Sequence, residues 1–299
     1  MEIIFGIKSR HGKVMGLFIL RYVIFVLIFH MPKSAKCHTL FINEFLASNA
    51  STNLDPDFYS FCDWIEIYNF GVIDINIGGY YITDDLAESG KFQLPKNTII
   101  KAKNYIMIWA DGKNLIPGDL HTDRKNKNIR IPINSIHTNF KLKKTSEEIG
   151  FFSPNGDLID SVKFQSQITD VSYSKKKSED GAQWFYTDVP SPNSLNITVG
   201  YVNSKRALPP DFLPSAGIFS KPQLLKLNVK GKTPVIRYTL DGSKPNINSK
   251  VYNAPIKIDS SSVVRAQVFE PGLLPSQIIT ESYIIDDSNN SLYIANRLA

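Results

Sequence analysis

Three pairs of neighbouring acids, two histidines and one cysteine are the side chains from which this 299-residue sequence could build chemistry. Asp55 with Asp57, Asp84 with Asp85, and Glu147 with Glu148 could each begin a calcium loop, because Ca2+ is held by about six to eight oxygens. None of the pairs is followed by the evenly spaced acids of a dedicated loop, so turn and surface roles are expected, with Asp84–Asp85 the first choice for a cation. Glu66 lies between Trp64 and Tyr68 in DWIEIYN (63–69). A carboxylate so placed is either an active acid or a group tied by hydrogen bonds into a partly covered face. No second acid, histidine or metal motif is placed beside Glu66 by the sequence, so the tied group is expected.

Of the five histidines, His11 and His30 lie in a leader-like segment and His38 at its end, which leaves His121 and His137. No H-E-x-x-H, paired Cys-x-x-Cys or glycine-rich phosphate loop occurs. His137 opens the stretch HTNFKL without an accompanying serine or cysteine motif, so a hydrogen-bonded structural role is expected rather than that of a general base. His121 is expected in solvent within a basic loop. If the leader is removed, Cys62 has no partner for an internal disulfide and is expected as a small buried apolar group. No catalytic, cofactor-binding or metal-ligating residue is assigned on this reading, and no cofactor.

The basic clusters His121–Arg130 (HTDRKNKNIR) and Lys175–Lys177 lack the interleaved aromatics of a single-strand groove and any helix to enter a major groove. Both are expected as solvated loops. The net charge of +6 does not revive a nucleic-acid partner. Six of the 34 Lys/Arg but one of the 28 acids fall in Met1–Cys37, so the remainder carries 28 against 27.

The elements that must position these side chains read as strands. Leu40, Ile42, Glu44 and Leu46 alternate with Phe41, Asn43, Phe45 and Ala47, and DWIEIYN puts Trp64, Glu66 and Tyr68 opposite Ile65, Ile67 and Asn69. YYITDD, Thr98–Ile100 and Tyr105–Ala110 follow, the last stopped by Asp111-Gly112. Lys113–Ile136 is expected as a long loop. Asn155-Gly156 between apolar runs is a hairpin signal in which both central residues take positive φ. Trp184, Phe185 and Tyr186 are expected to pack, with Trp184 and Tyr186 on one face, rather than to stack on sugars. No stretch keeps a period of 3.6.

At the N-terminus, basic residues precede the apolar run Gly16–Phe29, too short for a comfortable membrane span and suited to a signal-peptide core. Residues 1–37 are therefore expected to be a signal peptide, cleaved near Ala35–His38, or an N-terminal membrane anchor. Cys37 follows Lys36, where lipid modification needs a small residue, and is taken as incidental.

The ordered stretches INEFLASN, DWIEIYN, GGYYITDD, NYIMIWADGK, HTNFKLKKTSEEIGFFSPNGDLIDSV, DVSYSKK and WFYTDVPSPNSLN resemble a lamin-tail domain of the exported bacterial type, over about Leu40–Asn196. That resemblance implies an immunoglobulin-like β-sandwich. The departure is the longer, more basic loop 113–136. Farther on, IRYTLDGSKPN, SKVYNAPIKI, VVRAQVFEPGLLPS and ITESYII resemble the chitobiase-type C-terminal β-sandwich, also described as fibronectin-type-III-associated. That module carries none of the catalytic residues of those enzymes, and so it implies no hydrolase activity.

The expected fold class is thus all-β: a lamin-tail-like domain at 38–198, a linker at 199–213, a second small β-sandwich at 214–286 and a tail at 287–299. The expected function is non-catalytic binding, adhesion or scaffolding by a secreted or cell-surface protein. Its partner would be a cell-envelope polysaccharide or protein, with no nucleic acid, and with membrane only through an uncleaved leader. The alternative is an accessory N-terminal fragment of a carbohydrate-active enzyme, or of a protein with a spore-coat-type kinase domain of the CotH kind, since such domains often follow the same two modules.

Overall fold

DWIEIYN becomes the middle of the larger sheet. The computed structural model describes residues 39–123, 125, 127–178, 181–196 and 200–286; the expected leader (1–37) and tail (287–299) lie outside them. Trp64–Asn69 belongs to a six-stranded sheet whose spatial order is Ile136–His137, Tyr105–Trp109, Trp64–Asn69, Leu40–Leu46, Ser172–Ser178, Gly181–Thr187. All its neighbours run antiparallel except Ile136–His137, which is parallel to Tyr105–Trp109. A four-stranded sheet, in the order Leu158–Phe164, Glu147–Phe152, Tyr81–Thr83, Phe92–Gln93, faces it. The core between them takes Ile42, Phe45, Ile65, Ile67 and Ile108 from the first layer and Ile82, Phe92, Ile149, Phe151 and Val162 from the second. Each such side chain stabilises the fold by about 1.5–3 kcal/mol relative to exposure. Among the described residues none lies in a helix, so the architecture is all-β.

Strict alternation fails at one place, and that place shapes the outer face of the sheet. Leu40–Leu46 pairs Ile42 with Ile67 but Glu44 with Glu66, so Asn43 is an extra residue, a β-bulge. Leu40, Ile42, Phe45 and Ala47 consequently face the core, while Glu44 and Leu46 face outward. The expected grouping of Leu40 and Ile42 with Glu44 and Leu46 is corrected by this phase change. Both faces of the strand are apolar at most positions, which hides the shift from a period-two reading.

Two turns also depart from expectation. The hairpin at Asn155-Gly156 forms, joining Glu147–Phe152 to Leu158–Phe164. Only Gly156 takes a positive φ, of 83°, and Ser153 exchanges backbone hydrogen bonds with Gly156 and Asp157. The Gly156 amide closes a four-residue turn onto the Ser153 carbonyl, and Pro154, whose ring fixes its own φ in the ordinary region, takes the first central position, so Asn155-Gly156 is not the two-residue turn. The loop 113–136 holds a small hairpin, Leu120–Thr122 with Arg130–Pro132.

The second module packs a five-stranded sheet (Gly217–Phe219, Ile279–Ile285, Ser262–Phe269, Val235–Thr239, Lys250–Val251) with a three-stranded one (Asp211–Leu213, Gln223–Asn228, Ile256–Ile258). Leu225, Ile236, Ile258, Val264, Val268 and Tyr283 form its core. The segment expected as a linker pairs on both sides. Tyr201 bridges to Tyr186 of the first module, Arg206 to Leu274 of the second, and Leu274 packs with Val171 and Tyr186.

Candidate functional site

The bulge at Asn43 puts Glu44 directly opposite Glu66 on the outer face, both with no exposed surface. The segment after Gly181–Thr187 returns over this face and supplies donors. Ser172 and Ser174 hydroxyls donate to Glu44 Oε1, and the Ser191 amide and hydroxyl donate to the same carboxylate. Asn193 adopts a φ of 59°, in the left-handed region that Asn tolerates, and its amide donates to Glu66 Oε2, while Asn43 Nδ2 donates to Oε1 at 2.7 Å. Asn196 closes the arrangement, its amide donating to the Asn43 and Lys175 carbonyls. Burial is the larger effect on both acids. It raises Glu44 against the serine hydrogen bonds, and with Glu44 as a neighbour it pushes Glu66 up to about 8. The expectation that no second acid stands near Glu66 is therefore overturned, and the tied role is kept.

A second cluster forms at the end of the same sheet. Asp55 lies on the short hairpin Leu54–Asp55/Ser60–Phe61, where its Oδ1 accepts the Asp57 amide in an Asx turn. Asp111 follows Tyr105–Trp109, and its carboxylate accepts the Lys113 amide across Gly112, which has a φ of 76°. His137 ends the strand Ile136–His137, opposite Trp109, which brings its ring to Asp111. Nδ1 of His137 lies 2.9 Å from Asp111 Oδ2 and Nε2 lies 3.2 Å from Asp57 Oδ2. The Asn134 and Ser135 amides and Asn134 Nδ2 fill the remaining acceptor positions of Asp57. Lys113 pairs with Asp111 and sits 4.3 Å over the Phe58 ring, whose edge covers His137.

Here too burial opposes charge, but the hydrogen bonds win. Those from His137 and the 134–135 backbone hold Asp57 below the usual carboxylate range, and those from His137 and Lys113 do the same for Asp111. Against its own burial, His137 is raised by bonds to Asp111 and Asp57. Of the three aspartates only Asp55 is raised, by burial. His137 thus has the hydrogen-bonded role expected of it, at the end of a short strand rather than the start of a long one.

The other candidates separate. Asp84, the first choice for a cation, pairs with Lys91 at 2.6 Å and Asp85 accepts the Ala87 amide, while Glu147 and Glu148 pair with Lys143 and Lys163. His121 packs its ring 4.6 Å from Phe58 rather than standing in solvent. Lys175 is buried, pairs with Asp160, and lies over Trp184, which corrects its expected solvation. Trp184 and Tyr186 pack on Tyr173. Cys62 is half-buried beside Lys113, and burial pushes its thiol up. Beside both clusters, the outer face carries an open cleft of about 600 Å3, lined by Leu54, Lys96, Ile99, Met107, Trp109 and Asn193 among others.

Residues 33–166 match the family model of the Lamin Tail Domain, and residues 214–280 match that of the chitobiase/beta-hexosaminidase C-terminal domain. The chain carries these two domains in that order. The first match stops short of Ser172–Ser178 and Gly181–Thr187, strands that complete the six-stranded sheet. No curated protein sequence matches the chain.

Proposed function

We propose that this protein is an exported, cell-envelope binding or scaffolding protein, without catalysis of its own, that presents its first sandwich through the outer face of the six-stranded sheet. The observation that carries the proposal is the pairing on that face of committed acids with an open cleft. Glu44 and Glu66 are consumed by serine and asparagine donors of the same chain, and beside them lies the 600 Å3 cleft, with Ile99 56% and Leu54 48% exposed at its edge. Apolar side chains and asparagine amides around a shallow opening suit a polysaccharide or an extended protein segment. The partner would be met at the cell surface or after secretion, with membrane contact only through the N-terminal segment.

A screen of the full chain against envelope polysaccharides and envelope extracts tests the proposal, with Ile99→Asp as the site variant. Retention of a ligand by the wild type, reduced about tenfold or more by Ile99→Asp, supports the cleft; retention that ignores the substitution removes it. ATPase, kinase and glycosidase assays on the same protein should be blank. Activity in any of them would favour the accessory-enzyme reading.

A further inference from the structure

We propose that Asp55, Asp111 and His137 form a binding site for one divalent cation of the zinc class, with Asp57 orienting the imidazole from behind. One ligand atom from each of the three lies within 4.8 Å of the others, and all three residues are buried. A cluster of acids alone would say little, but Asp55 adds an independent observation. The residue has no exposed surface; its carboxylate is met by the Asp57 amide at Oδ1 and by the Phe58 backbone, and Oδ2 makes no well-formed hydrogen bond. A carboxylate oxygen withdrawn from water without a well-formed hydrogen bond is strongly unfavourable, and a cation among these three groups would satisfy it.

The imidazole is arranged as metal-binding histidines are. Nε2 is engaged by Asp57 Oδ2, which leaves Nδ1 directed at the Asp111 carboxylate. Asp57 is held by the Asn134 and Ser135 amides, so it can fix the ring without itself reaching the ion. A nitrogen and two carboxylates suit a borderline ion; Ca2+ would require about six or more oxygens, which three residues do not supply.

Lys113 is the resident competitor. Its ammonium pairs with Asp111 Oδ2, and its side chain is 27% exposed against 3% for Asp111. It can swing into water and release the carboxylate as a divalent ion enters. Charge favours the exchange, because three carboxylates face one lysine and one imidazole.

The test uses the full chain, stripped with a chelator, then titrated with Zn2+ by calorimetry and melted with and without zinc. One zinc per chain and a melting temperature raised by roughly 5 °C at a hundredfold excess over Kd are expected. Asp55→Asn keeps an acceptor for the Asp57 amide and should weaken zinc binding at least about tenfold. Lys113→Gln removes the competing ammonium at a partly exposed position and should tighten zinc binding about tenfold while lowering the zinc-free melt. This variant decides the matter even where Asp55→Asn fails to fold. Zinc binding absent from both the wild type and Lys113→Gln overturns the proposal. So does binding that Asp55→Asn leaves unchanged, which would place the ion on other residues, and so does an equal response to Ca2+.

Discussion

Glu44 with Glu66 on the six-stranded sheet, and Asp57 with Asp111 at its end, are two pairs of buried acids held by opposite means. The glutamates receive only neutral donors: the hydroxyls of Ser172, Ser174 and Ser191, backbone amides, and the Asn43 side chain. The aspartates receive an imidazole and an ammonium in addition to amides. Burial penalises charge equally in kind at both places, yet the glutamates are raised and the aspartates lowered. Neutral donors soften the loss of water at the glutamates, whereas the hydrogen bonds from His137, Lys113 and the 134–135 amides together outweigh it at Asp57 and Asp111. The glutamate pair is therefore a fastening between sheet and covering segment, and the aspartate cluster is a place where cations already gather.

The largest effect should come from cutting that fastening. Glu44→Ala leaves the Ser172, Ser174 and Ser191 donors without an acceptor in a buried setting, and we expect a loss of about 3–4 kcal/mol in urea unfolding. A loss below about 1 kcal/mol would show that the serines reorganise or reach water, and the distinction between the two regions would weaken. Next in size is the coupling inside the aspartate cluster. A double-mutant cycle of Asp57→Asn with His137→Gln, in chelator, should give about 2 kcal/mol of interaction, because the pair is buried and charge-assisted. A cycle of Asn43→Ala with Glu66→Gln should give less, about 1 kcal/mol, since that donor is neutral. Equal couplings would contradict the claim that cations separate the two sites.

How much of this was legible in the sequence differs between the same regions. DWIEIYN displayed its two faces openly, and strand, inside and Glu66 could be read from seven residues. Its partner Glu44 was hidden because a single extra residue, Asn43, changes the phase of a strand that is apolar on both faces. The one local trace is that Asn43 and Glu44 are adjacent polar residues inside an otherwise apolar run. Asp57 and His137 stand 80 positions apart, and they meet where the Asn134 and Ser135 amides hold Asp57 at the start of the strand Ile136–His137. No motif spacing encodes that approach. The turn chemistry of Asp55 and Asp111 is visible in the sequence as local punctuation, which is also what these residues do. Their second role depends on long-range pairing, which periodicity does not report.

The effect that is smallest at pH 5 is the most discriminating, because its pH dependence asks which protonation state the neutral donors favour. Unfolded, Glu66 ionises near its ordinary 4.5; folded, burial moves it to about 8. Between those values the folded chain holds a proton that the unfolded chain has released. The contribution of Glu66 to stability is therefore complete below about pH 4.5 and declines as pH rises toward 8. Glu66→Gln cannot ionise and resembles the protonated acid, so it should lose about 1 kcal/mol near pH 5 through one weakened hydrogen bond. That deficit should vanish within about one pH unit and become an advantage of the variant by pH 8, because each pH unit between those values costs the wild type about 1.4 kcal/mol. Parallel urea titrations at pH 5, 6.5 and 8 read the trend. A deficit that grows with pH would mean that the Asn193 and Asn43 donors keep the carboxylate charged despite burial. Neutral amides would then do for Glu66 what His137 and Lys113 do for the aspartates, and the contrast would lie in geometry rather than in charge.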